Sequence, residues 1–148
     1  MKPKNYSERV LPGASFFFAV TPLPLAVWLV FLPMNAVLGA VSGLLAYLAV
    51  LVSTYLLAPR IEVSGGYLRV GRAKIEIEHI GGVQMIAPED SFRTKTLELD
   101  ARAFTQFQIG VKGLVRVEVK DRTDPTPYWL FNVRGTQELV SALDANRT

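Results

Sequence analysis

The chain has no cysteine and a single histidine among its 148 residues. Without thiols there is no disulfide framework and no thiolate nucleophile. With His79 as the lone imidazole, a zinc site has no ligand set. Charge is missing over a long stretch as well. Residues 10–59 contain no Asp, Glu, Lys, Arg or His, fifty consecutive positions, and all twenty-nine charged side chains lie outside them. A soluble core does not easily hide such a run. A bilayer requires one, because each charge left at its centre costs roughly 2.5–3.5 kcal/mol on insertion scales. The sequence therefore predicts an integral membrane protein.

The uncharged run divides once, at Pro33-Met34-Asn35. Residues 13–32 are apolar apart from Ser15 and Thr21, and twenty residues at about 1.5 Å each span about 30 Å, one hydrocarbon core. Residues 36–58 cross with some tilt. Pro33 and Pro59 stop the two helices, because proline cannot donate to the helix ladder, and Asn35 is placed to cap the second. The expected unit is a transmembrane helical hairpin over 13–58, preceded by an N-terminal tail, 1–12. A secretory signal peptide is the rival reading of the first segment. The stretch is long for one, lacks an Ala-x-Ala end and is followed at once by a second span. Gly39 and Gly43 form Gly-x-x-x-Gly, which lets helices approach closely, either within the hairpin or against a second copy or another protein.

Lys2, Lys4 and Arg9 precede the run, and Arg60, Arg69, Arg72 and Lys74 follow it, while the connection between the spans has no basic residue. The positive-inside rule then puts both termini in the cytoplasm of a cell bounded by its plasma membrane. The basic residues after the run are candidate lipid-facing groups for anionic headgroups. From residue 60 onward thirteen basic residues face twelve acidic ones, which is not the footprint of a nucleic-acid binder.

Residues 59–148 predict a small β-rich cytoplasmic domain. Short alternating runs are separated by Gly turns at Gly65-Gly66, Gly71 and Gly81-Gly82. Lys74-Ile75-Glu76-Ile77-Glu78 alternates, with His79 at its edge. Residues 87–96 read as an exposed loop and residues 104–111 as a strand. Residues 114–120 form the clearest strand, with Val115, Val117 and Val119 on one face. Residues 128–133 carry large side chains on both faces, so both must be covered. Residues 136–145 predict a helix, capped by Thr136, that closes the core with Leu139, Val140 and Leu143. About seven strands and a C-terminal helix is the plan of a pleckstrin-homology-like (PH-like) domain, an analogy of fold that carries no function.

Asp124-Pro125-Thr126-Pro127-Tyr128-Trp129-Leu130 is a recognisable string. With it stand Tyr6-Ser7-Glu8-Arg9, Leu68-Arg69-Val70-Gly71 and Leu99-Asp100-Ala101-Arg102-Ala103-Phe104. On these strings the chain resembles, end to end, an uncharacterised family of small actinobacterial two-span membrane proteins, a domain of unknown function. Phe104 stands where that pattern has tyrosine, and Ile109-Gly110-Val111-Lys112-Gly113 stands where an Arg-Pro-Trp type segment is expected. The resemblance implies the architecture and brings no activity, cofactor or partner.

Asp124, Pro125, Pro127, Tyr128 and Trp129 are the candidate recognition surface, since prolines fix the backbone and Tyr and Trp bring area at low entropy cost. The same string also reads as a turn followed by core aromatics. Asp121 and Asp124 are too few for a hard cation. Gly-x-Ser-x-Gly, the P-loop and the dinucleotide fingerprint are all missing. The expectation is a membrane-anchored module without enzymatic activity or cofactor. Its partners are membrane lipids and another membrane protein or a second copy. Lipid-headgroup handling is the first alternative, and an enzyme of a type no motif reveals is the second.

Overall fold

The computed structural model describes residues 5–147; Lys2 and Lys4 lie outside the described residues. The chain forms two compact units, one of Leu11–Ala58 and one of Met1–Val10 with Pro59–Thr148.

The Leu11–Ala58 unit is helical: α1 (Ala14–Val20), α2 (Leu23–Phe31) and α3 (Ala36–Leu57). The stretch expected as one helix over 13–32 is interrupted at Thr21-Pro22. Neither Pro22 nor Pro24 has an N–H for the ladder, so the chain turns there. The Thr21 N–H is shared between Phe17 O at 3.2 Å and Phe18 O at 3.4 Å, and the ladder resumes with Ala26 N donating to Pro22 O. Ala14–Phe31 and Ala36–Leu57 are long and apolar enough to cross a membrane. Asn35 caps α3 as its position suggests, its Oδ1 accepting from Val37 N at 2.9 Å and Leu38 N at 3.0 Å. The buried residues of α3 are Gly39 and Gly43. A Cβ on Gly43 would lie 2.5 Å from Pro24 O, and one on Gly39 2.9 Å from Trp28 O. The Gly-x-x-x-Gly seam therefore packs within the hairpin, where α2 backbone occupies the space a side chain would need.

The other unit is β-rich, with two four-stranded sheets and a C-terminal helix. In the first sheet β1 (Tyr6–Arg9), β2 (Arg60–Ser64), β3 (Tyr67–Val70) and β4 (Ala73–Glu76) lie in chain order, all antiparallel. The segment expected as a tail thus supplies an edge strand, with Tyr6 opposite Val63 and Arg9 opposite Arg60. Seven strands follow Pro59, as the sequence suggests, and β1 is the eighth. Ile77–His79 makes a 3-10 turn rather than extending β4.

The second sheet has the order β5 (Ile80–Ile86), β7 (Leu114–Val119), β8 (Tyr128–Asn132), β6 (Phe104–Gln106). β6 runs parallel to β8. It is shorter than the expected strand over 104–111, because the chain turns after Gln106. A register shift between Ile80 and Val83 takes up Gly81-Gly82 as a bulge. The segment expected as an exposed loop contains a short helix, α4 (Ser91–Thr96), held down by the buried Thr94. α5 (Thr136–Ala145) has the expected bounds, but Gly135 is its N-cap and no side chain caps it.

The main core draws Ile61, Val63, Leu68 and Val70 from the first sheet, Val115, Val117, Trp129 and Phe131 from the second, and Leu139 and Leu143 from α5. Every residue of β8 is buried, as its large side chains on both faces require. Residues 87–103 pass over the outer face of β8, where Leu114, Tyr128 and Leu130 form a smaller cluster with Leu99.

Candidate functional site

The string Tyr6-Ser7-Glu8-Arg9 is a latch. Glu8 lies on the inward face of β1, opposite Ile61. Its carboxylate accepts from Arg134 N at 3.2 Å and Gly135 N at 3.1 Å, just before α5. The Tyr6 hydroxyl also donates to Glu8. Burial first, and then the Glu8 carboxylate, push the Tyr6 hydroxyl well above its ordinary pKa. Two segments more than a hundred residues apart are thus joined by charge-assisted hydrogen bonds, which are stronger than neutral ones.

The string ending in Tyr128-Trp129 divides at the start of β8. Asp124 and Pro125 are exposed, and Asp124 Oδ1 accepts from Thr126 N at 2.8 Å, so the acid shapes the turn. Tyr128 and Trp129 are each only 5% exposed. As neighbours on a strand they point to opposite faces. Trp129 enters the main core against Phe104, ring centroids 4.9 Å apart. Phe104 therefore has a packing role at the position of the pattern's tyrosine. Tyr128 enters the outer cluster. Its hydroxyl accepts from Asp100 N at 2.8 Å and donates to Glu98 O at 3.2 Å, pinning the covering segment. The aromatic pair is consequently not an exposed recognition surface: both faces of β8 are covered, which uses the rings as core.

Among the basic candidates, Arg60, Arg69 and Lys74 alternate with buried neighbours and share the outer face of the first sheet. Arg69 is opposite Lys74 in register and also opposite Glu62. A shallow recess of about 230 Å³ is lined by Glu62, Ser64, Tyr67, Arg69 and Lys74. Lys74 Nζ sits 3.5 Å above the Tyr67 ring centroid. Arg72 occupies the β3–β4 turn, off that face. Glu62 lies within the recess, so the cationic field there is diluted. A second cleft of about 420 Å³ lies between β5 and α4, with Asp90, Glu98, Arg93 and Arg116 on its walls. Arg93 Nε and Glu98 Oε1 pair at 2.8 Å. The Arg116 guanidinium stacks 3.9 Å over the Tyr128 ring.

Asn132 was not legible from the sequence. It is 2% exposed, and its amide holds residues 107–113 in place. Oδ1 accepts from Gln108 N at 2.9 Å, and Nδ2 donates to Val111 O at 3.0 Å and Gly113 O at 2.8 Å. Lys95 Nζ reaches the same Oδ1 at 3.3 Å and lies over the Phe107 ring. Partial burial lowers the Lys95 pKa. An Asn beside an aromatic run gives no local sign of such a role, since its partners are backbone groups about twenty residues away.

Among the described residues no three His, Cys, Asp or Glu side chains converge on a common point, so no metal ligand set is formed there. His79 Nδ1 lies 3.7 Å from Glu76 Oε2, both half-exposed.

The family described as "Protein of unknown function (DUF3093)" matches residues 5–143, nearly the whole chain, and the protein belongs to it. Neither the curated proteins nor the solved structures give a match to the chain.

Proposed function

We propose that this is an integral membrane protein of the plasma membrane whose two apolar helices cross the bilayer as a hairpin. Both termini lie in the cytoplasm. The β-rich unit, PH-like in plan, is a binding or accessory module of a membrane protein complex and not an enzyme. The family's two-span character and actinobacterial setting belong to the same reading, as does a partner that is another membrane protein or a second copy.

One observation carries the membrane reading. The outer surface of Leu11–Ala58 is covered with apolar side chains that the protein does not bury, such as Leu45 (61% exposed), Leu56 (68%) and Leu57 (80%). Burying a leucine is worth roughly 1.5–3 kcal/mol, so a surface of this kind favours lipid over water. Three polar side chains of the unit donate to backbone carbonyls, which suits a hydrocarbon surrounding. Thr21 Oγ1 donates to Phe17 O, Thr54 Oγ1 to Val50 O, and Trp28 Nε1 to Ala36 O. The pairing of β1 with β2 supports an even number of crossings. Val10 N donates to Pro59 O at 2.9 Å, so the chain leaves and rejoins the β-rich unit at one place. Arg9 and Arg60 bracket the apolar run there and set its orientation by the positive-inside rule.

Two measurements test this. An impermeant thiol reagent added outside intact cells should label Asn35→Cys, and alkaline phosphatase fused after Thr148 should be inactive. An active fusion overturns the topology. Purification in mild detergent, followed by mass spectrometry, should return a stoichiometric membrane protein or a homo-oligomer. A lone monomer overturns the accessory-module reading.

The second reading is headgroup handling, favoured by the adjacent Arg69 and Lys74. It expects the double charge reversal R69E/K74E to lower co-purifying anionic lipid severalfold. Unchanged lipid content refutes it.

A further inference from the structure

Several loops of the β-rich unit gather at one end. Ile86, Leu114 and Asn132 are partners across the second sheet, and Gln106 pairs with Phe131 beside them. α4 and residues 107–113 therefore emerge from this end. It is also the tethered end. A Cβ on Gly71 would lie 3.4 Å from Gln106 Oε1 and 3.8 Å from Pro59 Cβ, so the β3–β4 turn touches both. Only Ala58 and Pro59 stand between the last residue of α3 and Arg60. At about 3.3–3.6 Å per residue, those two residues reach about 7 Å.

The side chains displayed there are unusual for a water-facing loop. Val111 N donates to Gln108 O, and Gly110 has φ +73°, so residues 108–111 form a turn of the type that needs glycine at its third position. Its corner residue is Ile109, 65% exposed, on a turn anchored from behind by Asn132 and the buried Val111. Phe92 is 76% exposed, and three residues on in α4 the Lys95 ammonium lies over the ring of the partly exposed Phe107.

We propose that this end makes a second, shallow contact with the bilayer, in which Ile109 and Phe92 enter the headgroup–acyl boundary while Arg60, Arg72 and Lys112 meet anionic headgroups. The inference rests on the spanning helices of the reading above. Arg60, Arg72 and Lys112 are exposed, and their charge complements an anionic leaflet. Glu89 and Asp90, exposed just before α4, are the acidic groups that oppose this attraction. The apolar tips are convex and few. They suit a deformable lipid interface better than a protein partner, whose stable contact needs roughly 800 Å² a side around packed pockets.

The lack of native cysteine makes the test direct. Ile109→Cys, Phe92→Cys, Leu45→Cys and Arg122→Cys are labelled singly with nitrobenzoxadiazole in the full chain. Each is reconstituted in phosphatidylglycerol–phosphatidylcholine liposomes carrying a nitroxide near the headgroup or near the end of the acyl chain. The Ile109 and Phe92 labels should lose most of their emission to the shallow quencher, consistent with burial of about 5–10 Å. The Leu45 label, at mid-helix, should be quenched best by the deep one, and the Arg122 label, on the β7–β8 connection, by neither. If Leu45 is quenched while Ile109 and Phe92 behave like Arg122, the second contact is refuted and the spanning helices stand. If Leu45 is not quenched, the spanning reading falls and this inference falls with it.

Discussion

Replacing Asn132 by leucine tests whether one amide organises the end of the second sheet. Leucine has the same branching, but its methyl groups need about 3.5 Å where the amide atoms sit 2.8–3.0 Å from their partners, so the change removes the hydrogen bonds and adds some overpacking. Three backbone groups lose their side-chain partner: Gln108 N, Val111 O and Gly113 O. A buried polar group left unpaired costs roughly 1–3 kcal/mol, and only the bond to Val111 O is fully buried. Taking the lower figure for the two half-buried bonds and a middle figure for the third gives about 4 kcal/mol. Such a loss is a large fraction of the stability of a small domain and corresponds to a drop in Tm of roughly 15–30 °C. Asn132→Asp keeps the acceptor for Gln108 N and Lys95 but sets a carboxylate against two carbonyl oxygens, so it should be no milder.

Hydrogen exchange of the full chain in detergent separates a local effect from a general one. The Gln108 amide should lose protection first in Asn132→Leu, before amides of β2 and β3 change. Thermal unfolding supplies the total. A melting temperature within about 3 °C of the parent, with Gln108 exchange unaltered, would correspond to well under 1 kcal/mol and would refute the role given to Asn132.

Tyr128→Phe should cost about 1–3 kcal/mol and expose the Asp100 amide to exchange, while Trp129→Ala should cost about 3–5 kcal/mol and loosen the whole β-rich unit. Equal and global effects from both would mean that the two rings do not serve different faces. Gly43→Leu forces a side chain against Pro24 O and should lower the sodium dodecyl sulfate concentration at which α2 and α3 separate, followed by Trp28 emission; an unchanged midpoint would show that the seam is not close-packed. Tyr6 has a folded pKa above its ordinary 10.0, so its contribution is complete below pH 10 and fades as pH rises beyond it. Tyr6→Phe should flatten that alkaline loss in a stability–pH profile, and a parallel profile would rule Tyr6 out as its source.

What the sequence made legible follows from the range of the interactions. Asn35 could be read as a cap because its partners lie two and three residues ahead. The alternation of Val115, Val117 and Val119 is local, and so are the bounds of α5. β1 could not be read: Tyr6-Ser7-Glu8-Arg9 is polar, and its strand character comes from pairing with residues more than fifty positions away. The parallel β6–β8 pair is hidden for the same reason. α4 is six residues long in a Pro- and acid-containing stretch, where docking of Thr94 outweighs weak helical propensity. Tyr128 and Trp129 show the opposite difficulty. Aromatic residues after two prolines suit a recognition loop and a buried strand equally, and only the covering segment 87–103 decides between them.

The residues of the main core come from Val10 and from positions 61 onward, and none comes from Leu11–Ala58. The two strands that flank the apolar unit pair in register, and Val10 N meets Pro59 O at 2.9 Å. At that separation β1 and β2 have the geometry of a hairpin whose connection happens to be forty-eight residues long. A two-residue Asn-Gly turn closes such a ladder. Replacing 11–58 by Asn-Gly should therefore yield a soluble chain that keeps both sheets and unfolds cooperatively. Shortening the connection also lowers loop-closure entropy, by about 0.6 kcal/mol per halving of length. The Glu8 latch supplies a control: Glu8→Ala in the shortened chain should release Arg134 N and Gly135 N and lower Tm, as it should in the full chain. If the shortened protein is expressed only as aggregate, or lacks the near-ultraviolet signal of a packed Trp129, then the β-rich unit depends on the helices. The self-sufficient core argued from Val10, Ile61 and Leu143 would then be wrong.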